Sequence, residues 1–184
     1  MQQCANINEK DSNGYTALWW SCLKNYTELA EILLQNNKIN VNLQNNKGWS
    51  PFYAACSNNQ YECSLLMLQD ARVDINMADG DGWSPLLSAF YTGRTKIVQL
   101  LISFGRNTDI VKKSTEDWKD IFGDIKSGST AIDVAKQRNR TDIVQLLEQY
   151  QNNPKETQKL WRNQLNLKGK KIKIYKKKKK KKKK

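Results

Sequence analysis

The sequence predicts an all-α fold, a helix-turn-helix repeat solenoid with short β-hairpin loops and about four repeats. Three observations predict it. First, one phrase recurs: Gly14-Tyr15-Thr16-Ala17, Gly48-Trp49-Ser50-Pro51, Gly82-Trp83-Ser84-Pro85 and Gly128-Ser129-Thr130-Ala131, with successive glycines 34, 34 and 46 residues apart. A period of this size marks a stacked repeat. Second, Asn25, Asn59, Gly93 and Asn139 fall in register downstream of each phrase, and Gly and Asn tolerate the left-handed conformation that ends a helix. Third, a second apolar run follows each: Leu29-Ala30-Glu31-Ile32-Leu33, Cys63-Ser64-Leu65-Leu66-Met67, Ile97-Val98-Gln99-Leu100-Leu101 and Ile143-Val144-Gln145-Leu146-Leu147. Apolar residues at i, i+1, i+3 and i+4 make one helical face.

Each unit is therefore a turn and two antiparallel helices. The Ser or Thr two places after the glycine carries a hydroxyl that caps a helix start. Pro or Ala follows at the first helical position, where the amide of Pro has no partner to lose. In order, residues 1–8 read as the tail of a preceding repeat, and the repeats span 9–42, 43–76, 77–105 and 126–150. An insertion at 106–125 accounts for the longer third interval. Within it Ser114-Thr115-Glu116-Asp117 resembles a capping box opening a short helix, with Trp118, Ile121 and Phe122 on one face. Thr130 and Asp133 have the spacing of a second capping box. Pro154 opens a C-terminal capping helix within 151–167, whose Leu160, Trp161 and Leu165 are expected to cover repeat four. Ala71 stands where Asn37 and Gly105 stand, an unfavourable place for alanine if that position is left-handed.

These units resemble ankyrin repeats, whose T-P-L-H-x-A phrase and period of roughly 33 residues are a known signature. The resemblance covers roughly residues 5 to 150. Asn6-Ile7-Asn8, Asn40-Val41-Asn42 and Asp74-Ile75-Asn76 resemble the family's closing phrase. The family's histidine is replaced by Trp19, Tyr53, Leu87 and Asp133, which removes a tying hydrogen bond and bears on local rigidity. In such a stack the loop tips and first helices line a concave groove, and the resemblance implies a module that binds another protein there.

Composition narrows the functions. The 184 residues carry 31 basic and 18 acidic side chains and no histidine. Thirteen of the lysines lie in residues 168–184, so 1–167 holds 18 basic and 18 acidic residues and is formally neutral. A neutral body weakens nucleic-acid binding by the repeats themselves, which needs a basic face. Lys168–Lys184 is too densely charged to fold. Three readings of it stay open: a nucleic-acid or nuclear-import segment, a patch for anionic lipid, or the translation of an adenine-rich transcript end. Without histidine there is no Ser-His-Asp, Cys-His or histidine metal site. No phosphate-cradling G-x-x-x-x-G-K-[ST] loop occurs. No catalytic residues, cofactors or metal sites are expected, and the chain reads as a non-enzyme. Cys22 and Cys56 read as small core fillers, and the absence of C-x-x-C pairs fits a reducing compartment. With no secretory signal, the expected location is the cytoplasm, with the nucleus an alternative.

The candidate partner-binding residues are those the repeats present in common. Tyr15, Trp49 and Trp83 recur after the glycine as an aromatic ladder; the alternative is that they stiffen the array by packing along it. Trp20, Leu23 and Lys24 on the first helix of repeat one, Ser57, Asn58, Tyr91 and Thr92 at the corresponding ends later, and Trp118 in the insertion complete the set. Asp11 and Asp79 are expected to hold their turns through backbone hydrogen bonds. The protein is expected to be a monomer that holds a protein partner in the groove. The alternatives are a nucleic-acid or anionic-membrane binder acting through the lysine tail, and the ankyrin-repeat part of a larger enzyme or channel.

Overall fold

A computed structural model describes residues 6–106, 118–120, 123–125, 128–167 and 169. Four helical hairpins follow one another: α1 (Ala17–Lys24) with α2 (Thr27–Gln35), α3 (Pro51–Ser57) with α4 (Tyr61–Gln69), α5 (Pro85–Tyr91) with α6 (Thr95–Phe104), and, beyond two short strands, α7 (Ala131–Gln137) with α8 (Thr141–Asn152). A last helix, α9 (Pro154–Gln164), follows directly. First helices pack on first helices and second on second, so the core runs the length of the stack.

The local chemistry explains each boundary. Thr16, Ser50 and Ser84 accept from the backbone N–H groups of Trp19, Tyr53 and Leu87 at 3.2, 3.1 and 3.2 Å. Each such cap is worth about 1 kcal/mol. Thr130 and Asp133 form the reciprocal capping box at α7. The first helices end where Asn25, Asn59, Gly93 and Asn139 adopt φ of 58°, 60°, 72° and 53°. Ala71 and Asn37 are absent from the left-handed residues, so alanine carries no strain at that position.

Two expectations are corrected. The loop tips of repeats one to three contain no strands; each is a tight turn closed by two backbone bonds, as from Asp11 N to Tyr15 O and from Gly14 N to Asp11 O, both at 2.9 Å. In the insertion, Trp118 does not sit on a helix. It begins β1 (Trp118–Asp120), which pairs antiparallel with β2 (Gly123–Ile125) in the register Trp118 to Ile125. Gly123 disfavours a helix here by about 1 kcal/mol, and Trp and Ile suit a ribbon. The expected cap at 114–117, Ile121, Phe122 and the tail apart from Gly169 lie outside the described residues.

The C-terminal helix forms and buries Trp161; Thr157 Oγ1 donates to Gln149 O of repeat four at 3.1 Å, and further polar bonds go to repeat three. Gln158 Nε2 donates to Ile102 O at 3.1 Å, and Arg162 Nη1 to Ser103 O at 2.9 Å. These are the end carbonyls of α6, which lack partners within the helix. Leu160 remains exposed rather than covering repeat four.

Candidate docking groove

The tips are built alike. Asp11 Oδ1 accepts from the N–H groups of Asn13 and Tyr15, Asn45 Oδ1 from Lys47 and Trp49, and Asp79 Oδ1 from Asp81 and Trp83, all within 2.8–3.0 Å. Asp and Asn thus hold the turn in the same way, as the sequence implied for Asp11 and Asp79. Burial raises the Asp79 carboxyl above its ordinary value, against the lowering effect of those amide bonds.

Neighbouring tips are also tied. Asn46 donates from its backbone to Asn13 O and from Nδ2 to Ser12 O, both at 3.1 Å. Gln44 Nε2 reaches Ala78 O at 2.8 Å. Two residues in the histidine slot supply ties of their own. Trp19 Nε1 donates to Trp49 O at 3.2 Å, and the Tyr53 hydroxyl meets the side chains of Ser88 and Asp79. The missing histidine therefore does not leave these two tips loose.

The aromatic residues after the glycines do not form one exposed ladder. Tyr15 is half-buried and stacks on Trp19 with ring centroids 4.0 Å apart. Trp49 is half-buried, stacks on Tyr53 at 5.8 Å, and donates from Nε1 to Asp79 Oδ2 at 3.2 Å. Trp83 is only 5% exposed and lies edge-on to Tyr91 at 5.3 Å. The expectation that Trp83 offers a surface ring is corrected: it fills space between tip and helix. Trp20 is exposed, with Nε1 on Asp11 Oδ2 at 3.2 Å. It is in register with Ala54 and Ser88, both buried positions, and so stands toward the end of the array rather than along the groove. Leu23 is half-buried and Lys24 exposed at the end of α1. Asn58 is exposed, and Ser57, Tyr91 and Thr92 are half-buried at the corresponding ends of α3 and α5. The Trp118 side chain lies outside the described residues.

Helix ends are joined by residues that the sequence did not single out. Gln60 Nε2 donates to Leu23 O, Arg94 Nε to Ser57 O, and Arg140 Nη2 to Tyr91 O, at 2.8, 3.2 and 3.4 Å. Each residue opens a second helix and reaches back to the last carbonyls of the preceding first helix. A second series acts on the second helices: Arg72 Nη2 on Leu34 O at 2.6 Å, Arg106 Nη1 on Leu68 O at 3.4 Å, and Arg162 on the end of α6. The signal was available in principle, because Gln60, Arg94 and Arg140 each follow a left-handed residue. Arg94 and Arg140 also line a cavity of about 620 Å³ with Tyr91, Thr92, Gln137 and Arg138. Arg138 lies over the Tyr91 ring at 4.6 Å.

Cys22, Cys56 and Cys63 are fully buried free thiols, as the core-filler reading expects for the first two; Cys4 lies outside the described residues. Among the described residues no cluster of His, Cys, Asp and Glu is arranged to hold a metal. No helix among them is long and apolar enough to cross a membrane.

A row of tied turns over parallel first helices defines a helical-repeat protein with a preformed surface. The family model for ankyrin repeats, in three copies, matches residues 1–79 and 64–158, and the chain belongs to the ankyrin repeat family. Ankyrin repeats are generally protein–protein interaction modules and typically non-catalytic. No curated protein matches the sequence.

Proposed function

We propose that this chain is a non-catalytic docking protein whose protein partner lies along the groove of turn tips and first helices. Tyr15 and Trp49 at the tips, and Ser57, Asn58, Tyr91 and Thr92 at the helix ends, would make the contact. The supporting observation is the repeated side-chain-held turn, tied tip to tip, which fixes the surface before a partner arrives. A preformed surface loses little conformational entropy on binding. The cavity beside Tyr91 adds chemistry: three guanidinium groups line it and, among the described residues, no carboxylate does. That favours a partner carrying an acidic side chain at this end of the groove.

The test is site-directed photocrosslinking in the full chain, with the reactive residue at Asn58 or Thr92, and at Gln35 on the second-helix side as control. One discrete partner captured from Asn58 and Thr92 but not from Gln35 supports the groove. Equal capture from all three sites refutes it.

A further inference from the structure

The two ends of the array differ in chemistry. Leu34, Leu68 and Ile102 are buried against the next repeat, and the residue in register on α8 is Glu148, which is exposed. The far end is thus closed by a charge, as a terminal repeat requires. The near end is not. Cys63, Leu66, Ile97, Leu100, Ile143 and Leu146 are all buried on the faces that pack against a preceding repeat. Their counterparts in repeat one are Leu29 and Ile32, 43% and 65% exposed. Tyr26 at 58% and Trp20 at 40% join them, so four of the five large exposed hydrophobic residues among those described lie on this one face.

Continuity with the repeat interface would suggest a further repeat, but Trp20 argues against it. Repeats that stack carry Ala54, Ser88 and Val134 in its register. A tryptophan there holds a neighbouring first helix away. The charges point instead to a second copy. Lys24 ends α1 and Glu28 begins α2, so the two stand at the same end of the hairpin, while Trp20 and Ile32 each lie one turn further along. A two-fold axis running along the helices lays α1 of each copy over α2 of the other. Lys24 then meets Glu28 of the second copy, and Trp20 covers its Leu29 and Ile32. The contact is self-complementary, as an isologous dimer demands, and it centres on aromatic anchors.

We infer that the outward face of repeat one is a homodimer interface, in place of the monomer that the sequence implied. Sedimentation velocity on the full chain, across about 1 to 200 µM, tests it, because a small interface associates weakly. The wild type should pass from monomer to dimer. Ile32→Glu should weaken association at least about tenfold, with an unchanged circular dichroism spectrum because the side chain is already exposed. Lys24→Glu should weaken it and Glu28→Lys in the same chain should restore it. A wild type that stays monomeric overturns the proposal. So does a dimer indifferent to Ile32→Glu, or a charge reversal that restores nothing.

Discussion

Replacing Gly48 with alanine should cost much more than the same change at Gly128. Gly48 has φ of +79°, and a Cβ there would stand 2.5 Å from Gly80 N and 3.1 Å from the Asp79 carbonyl carbon. The left-handed conformation costs an L-residue about 1–2 kcal/mol. Parting the two tips to admit the methyl adds about 1–3 kcal/mol. Together Gly48→Ala should lose about 2–5 kcal/mol. Gly128 has φ of +87°, but among the described residues nothing lies within 4 Å of its Cβ position. Gly128→Ala should therefore lose only the conformational part, about 1–2 kcal/mol. Urea unfolding of both variants of the full chain, followed by circular dichroism, measures the difference. Equal losses would show that the tips do not approach as closely as described, and the case for a fixed docking row would fall with them.

Two further outcomes follow from the packing. Arg106→Met removes donors to Leu68 O, Asp70 O and Val73 O, and should cost about 2–3 kcal/mol. Hydrogen exchange should quicken first around the end of α4, and a variant with wild-type exchange there would contradict the assignment. Burial pushes the Cys56 thiol up to about 12, above its ordinary 9.0. The folded chain holds that proton more firmly than the unfolded one, so stability is full below about pH 9 and falls as pH rises toward 12. Melting temperatures of wild type and Cys56→Ala across that window should converge as pH rises. Curves that stay parallel would refute the shift.

The period, the hydroxyl caps and the left-handed helix ends were legible because each depends on residues a few places apart. Thr16, Ser50 and Ser84 announce their helices without reference to anything distant. Trp83 was not legible as a buried ring, since the phrase Gly-Trp-Ser-Pro is identical around Trp49, which is half-buried. Only the neighbouring repeat and Tyr91 distinguish them. The arginine series escaped for the same reason: Arg72, Arg94 and Arg106 look like ordinary surface charges until stacking brings a helix end from the preceding repeat within reach. The ribbon in the insertion was not legible, because Trp118 suits a helical face as well as a strand. The polar groove residues are visible in sequence, but their partner is not written in them.

The helix-end bonds all run one way. Gln60, Arg94 and Arg140 complete α1, α3 and α5, and Arg72, Arg106 and Arg162 complete α2, α4 and α6, always from a later residue to an earlier carbonyl. During synthesis each hairpin therefore waits, its carbonyls hydrated, until its successor leaves the ribosome. Assembly has a direction, and α9 with its Arg162 fastens the last of these joints.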